Sequence, residues 1–235
     1  MNETPRPLDR RGPRGPGVPL GSRQQSTGEP GLARHPRGEY AKSAGRREEI
    51  VAAALEVFSE AGYHRGSLRD VADRVGLSQA GLLHHYPSKH RLVEAVLDWR
   101  DQDALARMGA EPPQGVAMLR ALVDLAEHNE TTPQLVELHV TLSAEATSQE
   151  HPVHDYFVRR YAAVLEMVTD AFEHAAAHGE LQPGVDCRSS ARTLVALMDG
   201  LQGLWLLDRG AVDMAEELRR YLRPLLTVDL EKELR

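Results

Sequence analysis

"RGSLRDVADRVGLSQAGLLHHYPSKHRL", residues 65–92, decides how the rest of the chain is read. Ser67 stands where an N-cap is wanted for "LRDVADRV", whose Leu68, Val71, Ala72 and Val75 recur on one face. Gly76 is placed to end that helix. Ser78 caps a second, "QAGLLHHY", in which Leu82 and Tyr86 lie one turn apart. Pro87 and Ser88 close it and open a longer helix, "KHRLVEAVLDWRDQDALARM", with Leu92, Val96 and Trp99 on a single stripe. Helices this short are not stable alone, so the two must brace each other and their neighbours.

A capped helix, a tight glycine turn and a second short capped helix make a helix-turn-helix. In that arrangement the first helix supports the second, whose N-terminal residues can enter a major groove about 12 Å wide. The groove demands small or polar groups at the start of the second helix, and the sequence offers Ser78, Gln79, Ala80 and Gly81. Gln79 can contact adenine with both ends of its amide, and Gly81 removes a side chain that would hold the backbone away. Lys89 and the free N–H groups of the following helix can reach phosphates. Ser67 and Arg69, at the start of the bracing helix, complete that side of the expected contact set.

Residues 46–92 resemble the DNA-binding domain of the TetR family of bacterial transcriptional regulators. "FSEAGY" closes the first helix, "SLRDVADRVGLS" lies in the middle, and "LLHHYPSK" stands where the family often has Leu-Tyr-x-His-Phe-x-x-Lys. His85 matches the family histidine, and His84 is its neighbour; both would donate to phosphate oxygens at the end of the recognition helix. Two positions depart from the pattern. Tyr86 replaces a phenylalanine and still fills the core. Leu83 replaces a tyrosine that touches the DNA backbone, and is left to meet a thymine methyl. Adjacent residues on a helix diverge by about 100°, so no metal site is assigned to the histidine pair.

Upstream, Ile50, Ala54, Val57, Phe58 and Ala61 form the apolar face of a first helix that Gly62 can terminate. Downstream of "GAEPPQG" (109–115), Leu119, Leu122 and Ala126 mark a helix, and Thr132-Pro133 opens another carrying Leu135, Leu138, His139 and Leu142. A long helix follows residues 151–154, with Phe157, Tyr161, Val164, Val168 and Phe172 at three- and four-residue spacing. After "HGELQPGVDC", helices are expected over 187–207 and about 212–227. No alternating β pattern occurs, so the fold class is all-α. Residues 1–42 are Gly/Pro/Arg-rich without periodicity and are expected to be a disordered arm. Residues 43–92 are assigned to the DNA-binding domain and 93–235 to a helical ligand-binding and dimerisation domain, with the helix at 88–108 linking the two.

The net charge is −7, unevenly spread: residues 1–47 carry ten basic groups against four acids, and the remainder eighteen against thirty-one. A basic arm on an acidic body can add DNA affinity locally; a solvated leader with no partner is the other reading. The single cysteine, Cys187, excludes an internal disulfide. No apolar run approaches a membrane span and no signal-peptide pattern opens the chain, so a cytoplasmic location and no membrane partner are expected.

The family resemblance implies a homodimer on a palindromic double-stranded operator, released by a small-molecule effector, and so a repressor. In "SSARTLVALMDGLQGLWLLD" (189–208), Ala191, Leu194, Met198, Leu201 and Trp205 follow a 3-4 repeat, while Val195, Leu197, Leu204 and Leu206 make the other side apolar too. One side is expected to pack on its own domain and the other on a partner copy, with Gly200 and Gly203 allowing close approach. Val164, Val168, Leu194, Met198, Leu201 and Trp205 are the candidate dimer residues. Trp99, Met118, His139, Phe157, Tyr161, Met167 and Trp205 are the candidate lining of a ligand pocket, with His139 or Tyr161 as its polar group. His174 and His178, at i and i+4, have zinc-compatible spacing but read more simply as solvated residues near a helix C-terminus. No cofactor is implied, and no phosphate loop, nucleophile elbow or His-Glu-x-x-His points to an enzyme. A helical protein–protein adaptor derived from such a regulator, with Leu83 and the acidic body in its favour, is the alternative.

Overall fold

Two glycines in the left-handed region shape the N-terminal helices: Gly62 (φ 74°) breaks the end of α1 (Arg37–Arg65), and Gly76 (φ 67°) makes the turn between α2 (Leu68–Arg74) and α3 (Gln79–His85). The computed structural model describes residues 37–109 and 111–231, with side chains from Gly45 onward. Ser67 caps α2 through a reciprocal pair with Asp70: its hydroxyl accepts from the Asp70 amide, and the Asp70 carboxylate accepts from the Ser67 amide. Ser78 caps α3 by accepting from the Gly81 amide, and Ser88 caps α4 (Lys89–Arg107) by accepting from that of Arg91. Residues 1–36, most of the expected arm, lie outside the described residues. The backbone of 37–42, which was expected to belong to that arm, is helical and opens α1.

Five more helices follow: α5 (Gly115–Glu130), α6 (Pro133–Glu145), α7 (His154–Ala177), α8 (Cys187–Leu207) and α9 (Met214–Leu222). Pro133 begins α6 as expected, but the Thr132 hydroxyl donates back to the Asn129 carbonyl rather than capping forward. The last helix ends earlier than its apolar pattern suggests. Pro224 lies in a 3-10 turn, Arg223–Leu225, after which Leu226 forms an isolated bridge with Leu181.

The apolar faces meet in two clusters. One gathers Ile50, Ala54, Val57 and Phe58 of α1, Val71 and Ala72 of α2, Leu82 of α3, and Leu92, Val93, Val96 and Leu97 of α4. It also takes in Leu138, Leu142, Tyr156 and Phe157 from α6 and α7, so the helix-turn-helix shares its core with the helices after it. The other is built from α5, α7, α8 and α9 around Leu119, Phe172, Leu194, Trp205 and Leu218. Each such buried side chain contributes about 1.5–3 kcal/mol relative to exposure.

Several residues lie elsewhere than their spacing suggests. Trp99 is 40% exposed and outside both clusters, because α4 leaves the first cluster after Leu97 and Trp99 falls on its outward side. Val168, Leu194, Leu201 and Trp205, expected at the surface between two copies, are at most 5% exposed within one chain. The stricter 3-4 repeat of α8 therefore packs on its own chain. The side left open carries Ala196, Gly200, Leu204 and Leu207, the last two 55% and 86% exposed.

Candidate nucleic-acid interface and internal cavity

The turn at Gly76 and the cap at Ser78 leave Ser78, Gln79, Ala80 and His84 exposed along α3, while Leu82 is fully buried beneath them. Gly81, Leu83 and His85 are half-buried, and the rings of His84 and His85 meet edge to face at 5.9 Å. Arg69 is exposed on the neighbouring helix and 3.9 Å from Asp73. The bracing of α2 rests on charges that apolar periodicity does not reveal. Arg74 reaches Glu60 (2.9 Å) and Glu56 (3.1 Å) on α1, and Arg46 donates to the Val75 carbonyl at 2.7 Å.

Lys89 sits differently from expectation. Its ammonium donates to the His64 carbonyl (3.2 Å) and lies 4.5 Å from the centre of the Tyr63 ring, so it satisfies the C-terminal end of α1 rather than facing outward. Its partial burial holds its pKa below the ordinary lysine value. His64 in turn meets Glu145, at the end of α6, as does His151 at 3.5 Å. Lys89 thus fixes the entry of α4 against α1, and the His64–Glu145 contact ties α1 to α6.

A cavity of about 640 Å³ lies among α4, α5, α6, α7 and α8. Its walls combine Leu122, Val164, Met167, Val168, Val195 and Met198 with a polar group formed by Arg100, Asp101, His139, Arg160, Tyr161 and Asp199. Arg160 grips Asp101 through two bonds, Nε to Oδ2 at 2.7 Å and Nη2 to Oδ1 at 2.9 Å. Burial opposes the Arg160 charge, but the Asp101 carboxylate outweighs it and holds the guanidinium pKa high. Tyr161 donates to Asp199 Oδ2 at 2.6 Å, and His139 Nε2 lies 3.5 Å from Oδ1 of the same carboxylate. Burial pushes Asp199 up, yet these two partners hold it below the ordinary carboxylate range. His139 is 1% exposed, and burial drives its pKa down to about 4, so it is neutral at physiological pH.

Of the expected pocket residues, His139, Tyr161 and Met167 line this cavity, and so do Val164, Val168 and Met198 from the expected dimer set. Met118, Phe157 and Trp205 are core residues, and Trp99 is exposed; none of the four lines it. Apolar spacing could not find the charged wall. The usable signal was the run "DWRDQD" (98–103), four charges in six residues on a helix that also carries an apolar stripe. His174 and His178 stack at 4.2 Å, and among the described residues no group of three or more His, Cys, Asp or Glu is placed to hold a metal ion.

A helix-turn-helix with an exposed polar recognition helix, joined by one long helix to a helical body with an internal cavity, defines a class of DNA-binding transcriptional regulators. Residues 50–96 match the family model for bacterial regulatory proteins of the tetR family, and 113–227 match that for the C-terminal part of BetI-type transcriptional repressors. The chain belongs to the TetR family and is a helix-turn-helix transcriptional regulator. It is 29% identical over 175 residues to the HTH-type transcriptional regulator UidR of Escherichia coli K12, covering 73% of this chain and 85% of that one. It is 25% identical over 150 residues to the HTH-type transcriptional repressor KstR2 of Mycolicibacterium smegmatis, covering 61% and 71%. The structure of Salmonella enterica GusR matches with a TM-score of 0.62 at 27% identity, over 77% of this chain and 95% of that one. These likenesses leave the adaptor reading without support. Among the described residues no helix is long and apolar enough to cross a membrane.

Proposed function

We propose that the chain is a cytoplasmic repressor that binds a palindromic operator as a homodimer and is released by a small-molecule effector held in the cavity under α4. One observation carries this reading. The first half of α4 supplies Leu92, Val93, Val96 and Leu97 to the helix-turn-helix core, and its second half supplies Arg100, Asp101, Ala104 and Leu105 to the cavity wall. A molecule filling the cavity therefore presses on the helix that positions the DNA-reading unit. The matches to a repressor family model and to KstR2 support the sign of regulation.

Ser78, Gln79, Ala80, Gly81 and Leu83 are assigned to base edges, and Ser67, Arg69, His84, His85 and the first turn of α4 to the phosphate backbone. Lys89 acts by placing that turn. Two copies would pair through the open side of α8, at Ala196, Gly200, Leu204 and Leu207, with the outer face of α7. The recognition helices then fall about one 34 Å turn apart.

The test is selection of bound duplexes from a random pool by the full chain, in parallel with Gln79→Ala and Lys89→Ala. The wild type is expected to enrich a palindrome. Gln79→Ala should relax it at one base pair per half-site, and Lys89→Ala should weaken binding to all sequences alike. Absence of any enriched sequence at low salt, from protein shown to be dimeric, sinks the proposal.

A further inference from the structure

We propose that the ligand of the α4–α8 cavity is an amphiphile with an anionic oxygen head, a carboxylate or phosphate, and that Arg100 binds that head. The inference rests on the effector-cavity reading above and gives the effector its chemical class.

Among the described residues, the Arg100 guanidinium has no hydrogen-bond acceptor, and no carboxylate lies within salt-bridge distance of it. The other arginine of the central polar group, Arg160, is held by Asp101 through both of its oxygens. The other carboxylate close by, Asp199, already accepts from Tyr161 and faces His139. Asp98, also on the wall, sits beside Tyr156 and Arg159, and burial with Asp101 nearby pushes its pKa up. Burial, with Arg160 alongside, lowers the Arg100 pKa to about 10, so the group keeps its charge at neutral pH. A half-buried cation on the cavity wall without a protein partner favours an anionic ligand. The flat guanidinium fork suits a carboxylate or phosphate held by two parallel bonds.

The remainder of the wall fixes the rest of the molecule. Leu122, Val164, Met167, Val195 and Met198 offer apolar surface, and about 640 Å³ suits an organic molecule of drug size rather than an inorganic ion. A cationic ligand finds fewer counterparts in the central polar group, where Asp101 is held by Arg160 and Asp199 accepts from Tyr161; Asp98 is the lining carboxylate without an ion pair. Arg100 also lies one turn beyond Leu97, the last α4 residue in the helix-turn-helix core. An anion there pulls on α4 at the point where the helix leaves the helix-turn-helix core for the cavity wall.

The test uses the full chain with N-phenyl-1-naphthylamine as a neutral fluorescent occupant of the cavity. Four ten-carbon competitors displace it: decanoate, decyl phosphate, decanol and decyltrimethylammonium. A charge-assisted bond predicts that one of the two anions displaces the reporter at a concentration about tenfold or more below that of decanol, and their ratio identifies the head. In Arg100→Met this advantage should fall to about twofold or less with decanol unchanged, whereas Arg100→Lys keeps the charge and should retain most of it. Circular dichroism establishes that the variants are folded, and Arg100→Gln, which also removes the charge and should lose the advantage, decides the matter if the Met variant is not. The proposal is overturned if decanol equals both anions, if the ammonium compound is the strongest competitor, or if the anion advantage survives in Arg100→Met. Each of these leaves the cavity reading standing. Failure of the neutral reporter to bind at all overturns that reading, and this inference with it.

Discussion

Replacing Asp101 by Asn isolates the contact that ties the cavity half of α4 to α7. The two Arg160–Asp101 bonds, at 2.7 and 2.9 Å, join side chains only 16% and 31% exposed. Removing one partner of a fully buried pair costs about 3–5 kcal/mol, because the other charge is left without compensation. Asp101 keeps some contact with solvent, which screens the loss and brings the expected cost to about 2 kcal/mol. The cost does not fall further, since the Arg160 charge is then left facing Arg100, a like charge across the cavity. For a folded unit of this size, that lowers the melting temperature by roughly 4–8 °C. Arg160→Met and the double variant complete a mutant cycle, read by urea titration at pH 7. The double variant should recover part of the loss, since it contains no orphaned charge, with a coupling of about 1 kcal/mol or more. A coupling below about 0.5 kcal/mol would show that the pair does not hold α4 to α7, and the transmission argument built on it would fail.

His139 predicts a pH dependence. Its pKa is about 4 in the folded chain and about 6.5 in an unfolded one, so the unfolded state binds the extra proton between those values. The contribution is fully present above pH 6.5 and is lost as pH falls toward 4, amounting to about 2 kcal/mol between pH 7 and pH 5. Urea midpoints of wild type and His139→Gln should diverge by that amount over the interval; parallel curves would refute it. Gly76→Ala places a side chain at φ 67° with nothing within 4 Å of its Cβ, so it should cost about 1–2 kcal/mol through the backbone alone. Gly81→Ala is the contrast: its Cβ meets Ser78 Oγ at 3.4 Å, an ordinary contact, so thermal stability should hold while operator affinity drops. An unchanged affinity would mean that α3 does not approach the bases through Gly81. Leu204→Glu, at a 55% exposed position, should leave the chain folded and shift its light-scattering mass toward the 26.0 kDa of one copy; a persistent dimer places the interface elsewhere.

What could be read from the residues alone followed from periodicity and capping. Ser67, Ser78 and Ser88 open α2, α3 and α4 because a hydroxyl before an apolar repeat satisfies the free amides of a first turn. Ile50, Val71, Leu82 and Leu92 are fully buried for the same reason that made them periodic. The dimer and cavity residues were harder, since α8 is apolar on two sides and spacing cannot say which faces inward. There the more regular repeat, Leu194 to Trp205, turned to its own core, and the looser side carrying Leu204 stayed open. Polar groups that act at a distance in sequence escape periodicity altogether. Arg160 and Asp101 are 59 residues apart, Tyr161 and Asp199 are 38, and nothing local marks either pair. Lys89 misled for a related reason: its place at a helix start suggested a phosphate, whereas Tyr63 and the His64 carbonyl lie closer.

The packing also restricts how an effector can act. Leu138, Leu142, Tyr156 and Phe157 bury themselves in the same cluster as α1 to α4, so the helix-turn-helix is not a separate body swinging on a linker. Moving it means sliding α4 against α6 and α7 while that cluster stays closed, because opening it would expose several side chains worth about 1.5–3 kcal/mol each. A ligand has far less than that sum at its disposal: only the difference between its affinities for the two arrangements shifts the balance, and tenfold is about 1.4 kcal/mol. Such a difference is enough to re-set contacts between arrangements that are nearly equal in energy. The polar wall of the cavity provides contacts of that kind. An anion drawn to Arg100 competes with Asp101 for the Arg160 guanidinium, and Asp101 is the next residue along α4.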